Sequence, residues 1–438
     1  MSDDAAAARQ RWVPVSASAM GTVIEWYDFF LYSSAAVLVF NTQFFGDVSP
    51  VVGTMIAFAT YAIGFVVRPL GGIVFGNIGD RVGRKPVLLA TVLMMGLSTI
   101  AIGLLPNFAA IGYWAPALLV LLRVVQGFGA GAEYGGAVVV AGESGRTRRG
   151  LFSSIPGAAV DVAMLLASGI FALFALLPPE QFDTWGWRVP FLLSVVGLGI
   201  AFFIRVRMPE TEEFEKEVRA KGHQAAPSPF RELWTSHRRR LLIAAGVNFG
   251  GSIAYIFQTF ALSYAINNLG YPPVISLLGI VVSGLVGAVV TVAWGALSDR
   301  VGRRPVIIGG ALFLMAFVFP FFALIELGVG MLYLAVVVAH VADRAIFGVQ
   351  ASFYTELFPP RVRFSGIATA REVTGALVGG PLPLVATALV VVAGGSTWLV
   401  ALLVIGLVGV SALSAWLAPE TNPDIARRGA REPAPTSA

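Results

Sequence analysis

Residues 76–87 read GNIGDRVGRKPV and residues 295–306 read GALSDRVGRRPV. The run Asp-Arg-Val-Gly-Arg-(Lys/Arg)-Pro-Val keeps its order in both, and Asp80 and Asp299 lie 219 residues apart in a chain of 438. A repeat at half the chain length marks two copies of one unit. Long apolar runs flank each copy, so the unit is a bundle of membrane helices.

Composition agrees. Hydrophobic residues make up 57% of the chain and charged residues 13%, with a mean hydropathy of +0.79. A soluble domain carries about 25% charge, so lipid is the solvent expected here. Cysteine is absent and the three histidines, His223, His237 and His340, are scattered. This excludes disulfides, thiolate chemistry and a histidine zinc site. The polar N-terminus lacks the pattern of a cleavable signal. Twelve spans are expected, near 17–41, 50–77, 87–106, 113–141, 152–177, 187–206, 241–267, 274–297, 306–326, 329–355, 366–394 and 397–418. The fold class is all-α, two pseudo-symmetric six-helix bundles.

Alternate loops collect the basic residues. They hold 25 of the chain's 30 lysines and arginines. Positive loops stay inside, so both termini are expected in the cytoplasm of a multi-pass protein of the cell inner membrane. Two further pairs of landmarks support the duplication. Glu143 and Glu356 lie 213 residues apart, and Pro209-Glu210-Thr211 recurs as Pro419-Glu420-Thr421 after 210. The expected division is a cytoplasmic N-terminus (1–16), a first bundle (17–206), a cytoplasmic linker (207–240), a second bundle (241–418) and a tail (419–438).

The repeated loop has a physical reading. Glycine permits the tight turn. Asp80 and Asp299 can accept hydrogen bonds at a helix N-terminus, where the dipole favours an anion. Gly76, Asp80, Arg81, Gly83 and Arg84 in one copy, and Gly295, Asp299, Arg300, Gly302 and Arg303 in the other, are read as a conformational latch. It forms when the inside closes and breaks when it opens. A purely topogenic charge cluster is the alternative.

The pattern GxxxDRxGR(K/R) after the second and eighth spans resembles the signature of the major facilitator superfamily. Residues 21–32 (GTVIEWYDFFLY), 68–72 (RPLGG), 123–127 (RVVQG), 131–136 (GAEYGG) and 187–191 (WRVPF) are similar to its metabolite:proton symporter family. The resemblance runs from about 17 to 418. It implies uptake of a carboxylate, a shikimate-like acid, proline or a betaine. It also implies a glutamine in the fifth span, where this chain has Ser154-Ile155-Pro156-Gly157-Ala158-Ala159-Val160-Asp161 instead.

Charged side chains inside a membrane are costly, so they mark function. Glu25, Asp28 and Tyr32 share one face of the first span, and Arg123, Gln126 and Glu133 one face of the fourth. Arg68 precedes Asp80 by twelve residues, about 18 Å along a helix, near the depth where such carriers bind substrate. Arg68 and Arg123 are the candidates for a substrate carboxylate, with Tyr32 and Gln126 as hydrogen-bond partners. Neutralising Asp28 or Glu133 is the alternative role for Arg123. Asp28 and Glu133, with Glu25 behind them, are the candidates for proton coupling. Three roles are open to Asp161: a cationic substrate group, a proton, or an arginine. In the second half Arg344 is read as completing the substrate clamp, with Tyr255, Gln258 and Asn248 lining the cavity. Asp343 is expected to pair with Arg371 across helices rather than with its neighbour, and Glu372 also to find a partner on another helix. His340 is open between a proton relay and a packed neutral ring.

The chain lacks G-x-x-x-x-G-K-(S/T), so no nucleotide site is expected, and it offers no nucleophile–base set for an enzyme. The expected function is proton-coupled uptake of a small organic carboxylate by alternating access. A zwitterion symporter for proline or a betaine, a uniporter and a non-transporting membrane sensor are the alternatives. Expected partners are the small organic acid or zwitterion, protons and the lipid bilayer, with no nucleic acid, no cofactor and no metal. A monomer is the expected assembly.

Overall fold

In lipid a backbone must close its hydrogen bonds within itself, and a single chain segment does this only as a helix. The computed structural model describes residues 3–46, 48–82, 84–131, 141, 148–207 and 229–429. Its long helices are α1 (Asp3–Leu38), α2 (Pro50–Val82), α3 (Arg84–Leu104), α4 (Trp114–Ala130), α5 (Arg149–Phe174), α6 (Pro179–Val206), α7 (Arg238–Asn267), α8 (Pro273–Val301), α9 (Arg303–Glu326), α10 (Val329–Leu357), α11 (Pro360–Val392) and α12 (Trp398–Leu417). Ten of them are long and apolar enough to cross a membrane by length and composition. The remaining two are α1, diluted by Glu25 and Asp28, and α4, whose described part ends at Ala130. They complete the twelve-helix, two-bundle architecture.

Over the described residues, each expected span falls on one of these helices, with shifted ends. Helix α1 starts at Asp3 rather than near residue 17, because the run AAAARQ is built of strong helix formers that extend it beyond the apolar segment. Helices α6, α7 and α11 each contain a π-helical turn, at Phe182–Gly186, Ile256–Phe260 and Gly375–Gly379. Such turns concentrate where a helix is distorted for function.

In the first bundle α1 packs on α5, α2 on α4, and α4 and α6 on α3; in the second, α7 packs on α12 and α9 on α10 and α12. The bundles meet along a seam of α5 against α8 and α10, and of α2 against α11. Large apolar side chains such as Val66, Leu70, Leu285, Val289 and Leu402 face outward, while Asp28, Arg68, Arg123, Asp161, Asp343 and Arg344 are buried. This inside-out polarity is what a lipid solvent selects.

Glycine sets the approach of α2 to α4. A Cβ on Gly127 would strike the carbonyl of Gly64, so the two backbones touch there. That contact brings Arg68 and Arg123 to one side of the first bundle. At the α8–α9 corner Gly302 has φ 106°, a conformation open to glycine alone without strain.

Candidate functional site

Asp28 on α1 sits at the head of a hydrogen-bond chain. Thr99 Oγ1 of α3 donates to Asp28 Oδ2 at 2.7 Å, and Ser194 Oγ of α6 donates to Oδ1 at 2.8 Å. Gln126 Nε2 donates to Thr99 Oγ1 at 2.8 Å, and Arg123 Nη1 donates to Gln126 Oε1 at 2.5 Å. Arg123 also reaches the carbonyl of Tyr61 at 3.5 Å. Four helices of one bundle thus converge on one buried carboxylate. Arg123 therefore reaches Asp28 through Gln126 and Thr99, not by the direct ion pair that its alternative role of neutralising Asp28 would require. Glu25, Asp28, Arg68, Arg123 and Gln126 line one void of about 10 Å³, room for about one water.

Four arginines, Arg68, Arg123 and Arg344 buried and Arg371 half-buried, are joined by aromatic rings. The Arg123 guanidinium lies 4.8 Å from the centroid of Phe29, and Arg68 lies 4.7 Å from the same ring. Arg68 and Arg371 flank Trp26 at 5.9 and 5.6 Å. Arg371 and Arg344 flank Phe347 at 5.7 and 4.6 Å. The ladder runs from α4 in the first bundle to α10 in the second. Ring faces stabilise the cations without consuming them as an acid would. Nε of Arg68 and Nε of Arg123 are buried donors with no hydrogen-bond partner among the described residues. Glu372 lies within electrostatic reach of both Arg68 and Arg371.

Tyr255 on α7 packs its ring on Phe65 at 5.4 Å and on Tyr61 at 6.2 Å, across the seam. Tyr32 donates its hydroxyl to Thr60 at 2.7 Å and stacks under Arg123 at 4.1 Å. Ser33 of α1 and Thr259 of α7 join the bundles at 2.8 Å, next to a second void of about 10 Å³ lined by Ser34, Ser168 and Gln258.

Of the three roles open to Asp161, an arginine contact is present, with a histidine beside it. Arg344 Nε stands 3.3 Å from Asp161 Oδ1, His340 Nε2 stands 2.9 Å from the same oxygen, and Thr291 donates to Oδ2 at 2.8 Å. Gln258 contacts His340 Nδ1 at 3.0 Å. The expected Asp343–Arg371 pair is corrected: Asp343 meets Arg344, its neighbour in sequence, at 3.4 Å. Adjacent helical residues diverge at Cβ, but an arginine is long enough to fold back. Asn248, expected in the cavity, instead ties α7 to Thr374 of α11 and to Gln350 of α10.

At the basic end the repeated motif closes the seam. Asp299 accepts from the backbone N–H of Gly150 at 2.8 Å and of Leu151 at 3.0 Å, at the N-terminus of α5. Arg303 bonds Asp299 at 2.8 Å and Glu356 at 2.9 Å. Glu420, from the repeated Pro-Glu-Thr, accepts from the N–H groups of Arg303 and Arg304 at 2.9 and 3.2 Å and so caps α9. Gly295 lies inside this contact and Arg300 is exposed beside it. Gly76 falls within α2, whereas Gly83 and Glu133, with the side chains of Asp80, Arg81 and Arg84, lie outside the described residues.

The sequence did not point to Thr99, Ser194, Thr291 or the rings of Phe29, Trp26, Tyr61 and Phe347. Isolated hydroxyls in apolar helices and aromatics in a membrane span are too common to stand out. The one available signal was the helical face Tyr61, Gly64, Phe65, Arg68, at i, i+3, i+4, i+7.

Two bundles around a buried, charged seam define a membrane transporter that moves small solutes between its halves. The major facilitator superfamily model matches residues 18–381 and 280–438. A shikimate transporter of Escherichia coli is 38% identical over 409 residues, covering 92% of this chain and 93% of its own. The inner membrane metabolite transport protein YhjE of the same organism is 39% identical over 381 residues, covering 84% and 86%. A proline/betaine transporter of Salmonella typhimurium is 34% identical over 388 residues, covering 86% and 77%. The solved D-xylose-proton symporter superposes with a TM-score of 0.70 at 20% identity, covering 93% of this chain and 98% of its own, which speaks for the fold. The chain belongs to the major facilitator superfamily and, within it, to the metabolite:proton symporter family. It is a secondary transporter and not an enzyme.

Proposed function

We propose that the chain is a proton-coupled symporter that takes up a small organic carboxylate by alternating access. It would act in the cell inner membrane as a monomer with both termini cytoplasmic. The observation that carries this reading is the arginine–aromatic ladder across the seam, in which Arg68 and Arg123 hold buried donors without acceptors among the described residues. A carboxylate supplies the missing acceptors, and a guanidinium grips it through two parallel hydrogen bonds. Shikimate, proline and betaine, named for the relatives, share a carboxylate and differ in the cationic nitrogen. Here the ring faces that would take a quaternary ammonium lie under the chain's own arginines, which favours an acid. Tyr32, Gln126, Tyr255 and Gln258 are the neutral groups placed around the ladder, while Asp161 and Arg344 hold each other.

Asp28 is the coupling carboxylate in this reading. Thr99 Oγ1 has two acceptors in reach, Asp28 and the carbonyl of Met95 at 3.0 Å. Its proton turns to Met95 when Asp28 takes one up. Thr99 thus gives both protonation states a partner, and Gln126 carries the change to Arg123. Glu25 lines the same void, and Glu133 keeps its sequence-based candidacy. The Asp299 contact with α5 is the inner latch, formed in this state. Uptake of labelled acids into proteoliposomes tests the substrate class. Uptake of shikimate-like or simple carboxylates by the wild type, lost in Arg68→Gln, supports it; transport of betaine with acids ignored contradicts it.

A further inference from the structure

Asp161, His340, Asp343 and Arg344 form a second charged cluster, at the seam where α5 meets α10. Asp161, His340 and Asp343 are fully buried and Arg344 is 2% exposed. Asp161 belongs to α5 of the first bundle and the other three to α10 of the second. With a neutral imidazole the cluster holds two carboxylates and one guanidinium, an excess of one negative charge. Both oxygens of Asp343 lack a hydrogen-bond donor among the described residues. An uncompensated buried charge is costly, and one proton removes it.

The geometry gives that proton a place. His340 Nε2 stands 2.9 Å from Asp161 Oδ1 and 3.2 Å from Arg344 Nε; in the Nε2–H tautomer it donates to the carboxylate, and in the other it accepts from the guanidinium. Nδ1 faces the amide of Gln258 at 3.0 Å. A neutral ring accepts from the amide nitrogen. A protonated ring donates to Gln258 Oε1 once the amide turns over, and Oε1 has no partner among the described residues. Gln258 therefore satisfies both states of His340. Helix α8 leaves room for the pair: a Cβ on Gly287 would strike the imidazole and the Asp161 carboxylate. The charged groups facing His340 are Asp161 from α5 and Arg344 from its own helix, with Asp343 on Arg344's other side. Helices α7 and α8 present the neutral Gln258 and Thr291. Arg371 of α11 stands beyond Phe347.

We propose that the Asp161–His340 pair is a second proton-binding site, separate from Asp28, with the proton carried at His340 Nδ1. The proton makes two neutral pairs, His340 with Asp161 and Arg344 with Asp343, and so binds the bundles together. Its loss leaves Asp161 and Asp343 competing for one arginine and loosens the seam. The site rests on the symport reading above for its role in coupling.

Two measurements test it. In a variant lacking His223 and His237, the single remaining histidine is read by nitrogen NMR of the purified protein. The expected result is a pH-driven passage from the Nε2–H tautomer to imidazolium, altered by Asp161→Asn. The proton-to-substrate ratio, read from the reversal potential in proteoliposomes, is expected to fall by one proton in His340→Gln. A histidine that stays neutral across about pH 5 to 8, or an unchanged ratio in His340→Gln, overturns the second site and leaves symport through Asp28 standing. A titrating His340 in a protein that moves substrate without protons overturns the symport reading and the coupling role with it.

Discussion

The carboxylate of Asp299 on α8 accepts the backbone N–H of Gly150 at the start of α5, at 2.8 Å, with Leu151 at 3.0 Å on its other oxygen. One aspartate of the second bundle thereby caps a helix of the first. Arg303 holds that aspartate from behind and is itself held by Glu356. The chain has no cysteine, so Ser154→Cys, one turn inside α5, gives a single reporter thiol. Asp299→Asn removes a charge-assisted acceptor, worth about 1.5–3 kcal/mol. Thiol labelling from the basic end is expected to rise by about tenfold or more, and an unchanged rate would count against the latch.

Arg68 is expected to act on the substrate through its paired donors. Arg68→Gln should weaken substrate binding by about 10- to 100-fold. Arg68→Lys keeps the charge but not the fork and should recover only part of that loss. Equilibrium binding to the purified protein checks both. Full recovery by lysine would mean that charge alone is sensed.

Asp28→Asn retains the hydrogen-bonding shape at the end of the Thr99–Gln126–Arg123 chain but cannot take up and release a proton. Accumulation driven by a pH gradient is expected to fall to what the His340 site alone supports, while substrate exchange at equal pH persists. Loss of both together, with an unchanged melting temperature, would assign Asp28 to substrate binding instead.

Glu420 caps α9 from outside the membrane spans. Glu420→Ala should cost about 0.5–2 kcal/mol, seen as a lower melting temperature in detergent with transport largely retained. An unchanged melting temperature would mean that water replaces the cap without loss.

The fold was legible because its signals are local. Apolar length gives the spans, and a repeat at half the chain gives the two bundles. The aspartate of the repeated loop was read as an acceptor at a helix N-terminus, and Asp299 is one. The helix it caps was not legible, because it belongs to the other bundle, 149 residues away. Asp161 and His340 likewise read as two isolated polar residues, since nothing local links α5 to α10. Arg68 and Arg123 were read as arginines for a substrate carboxylate; the rings they stand against were not legible, because they look like ordinary membrane aromatics in a string of letters. The mistaken Asp343–Arg371 pairing came from treating side chains as if they ended at Cβ.

Proton coupling is the central claim, and proton movement on addition of substrate to proteoliposomes tests it most directly. With a pH dye outside, adding a transported carboxylate should make the medium more alkaline in the wild type and clearly less so in Asp28→Asn, where only the His340 site is left to carry a proton. Uptake of the same labelled compound by the wild type with no change in external pH would contradict the account.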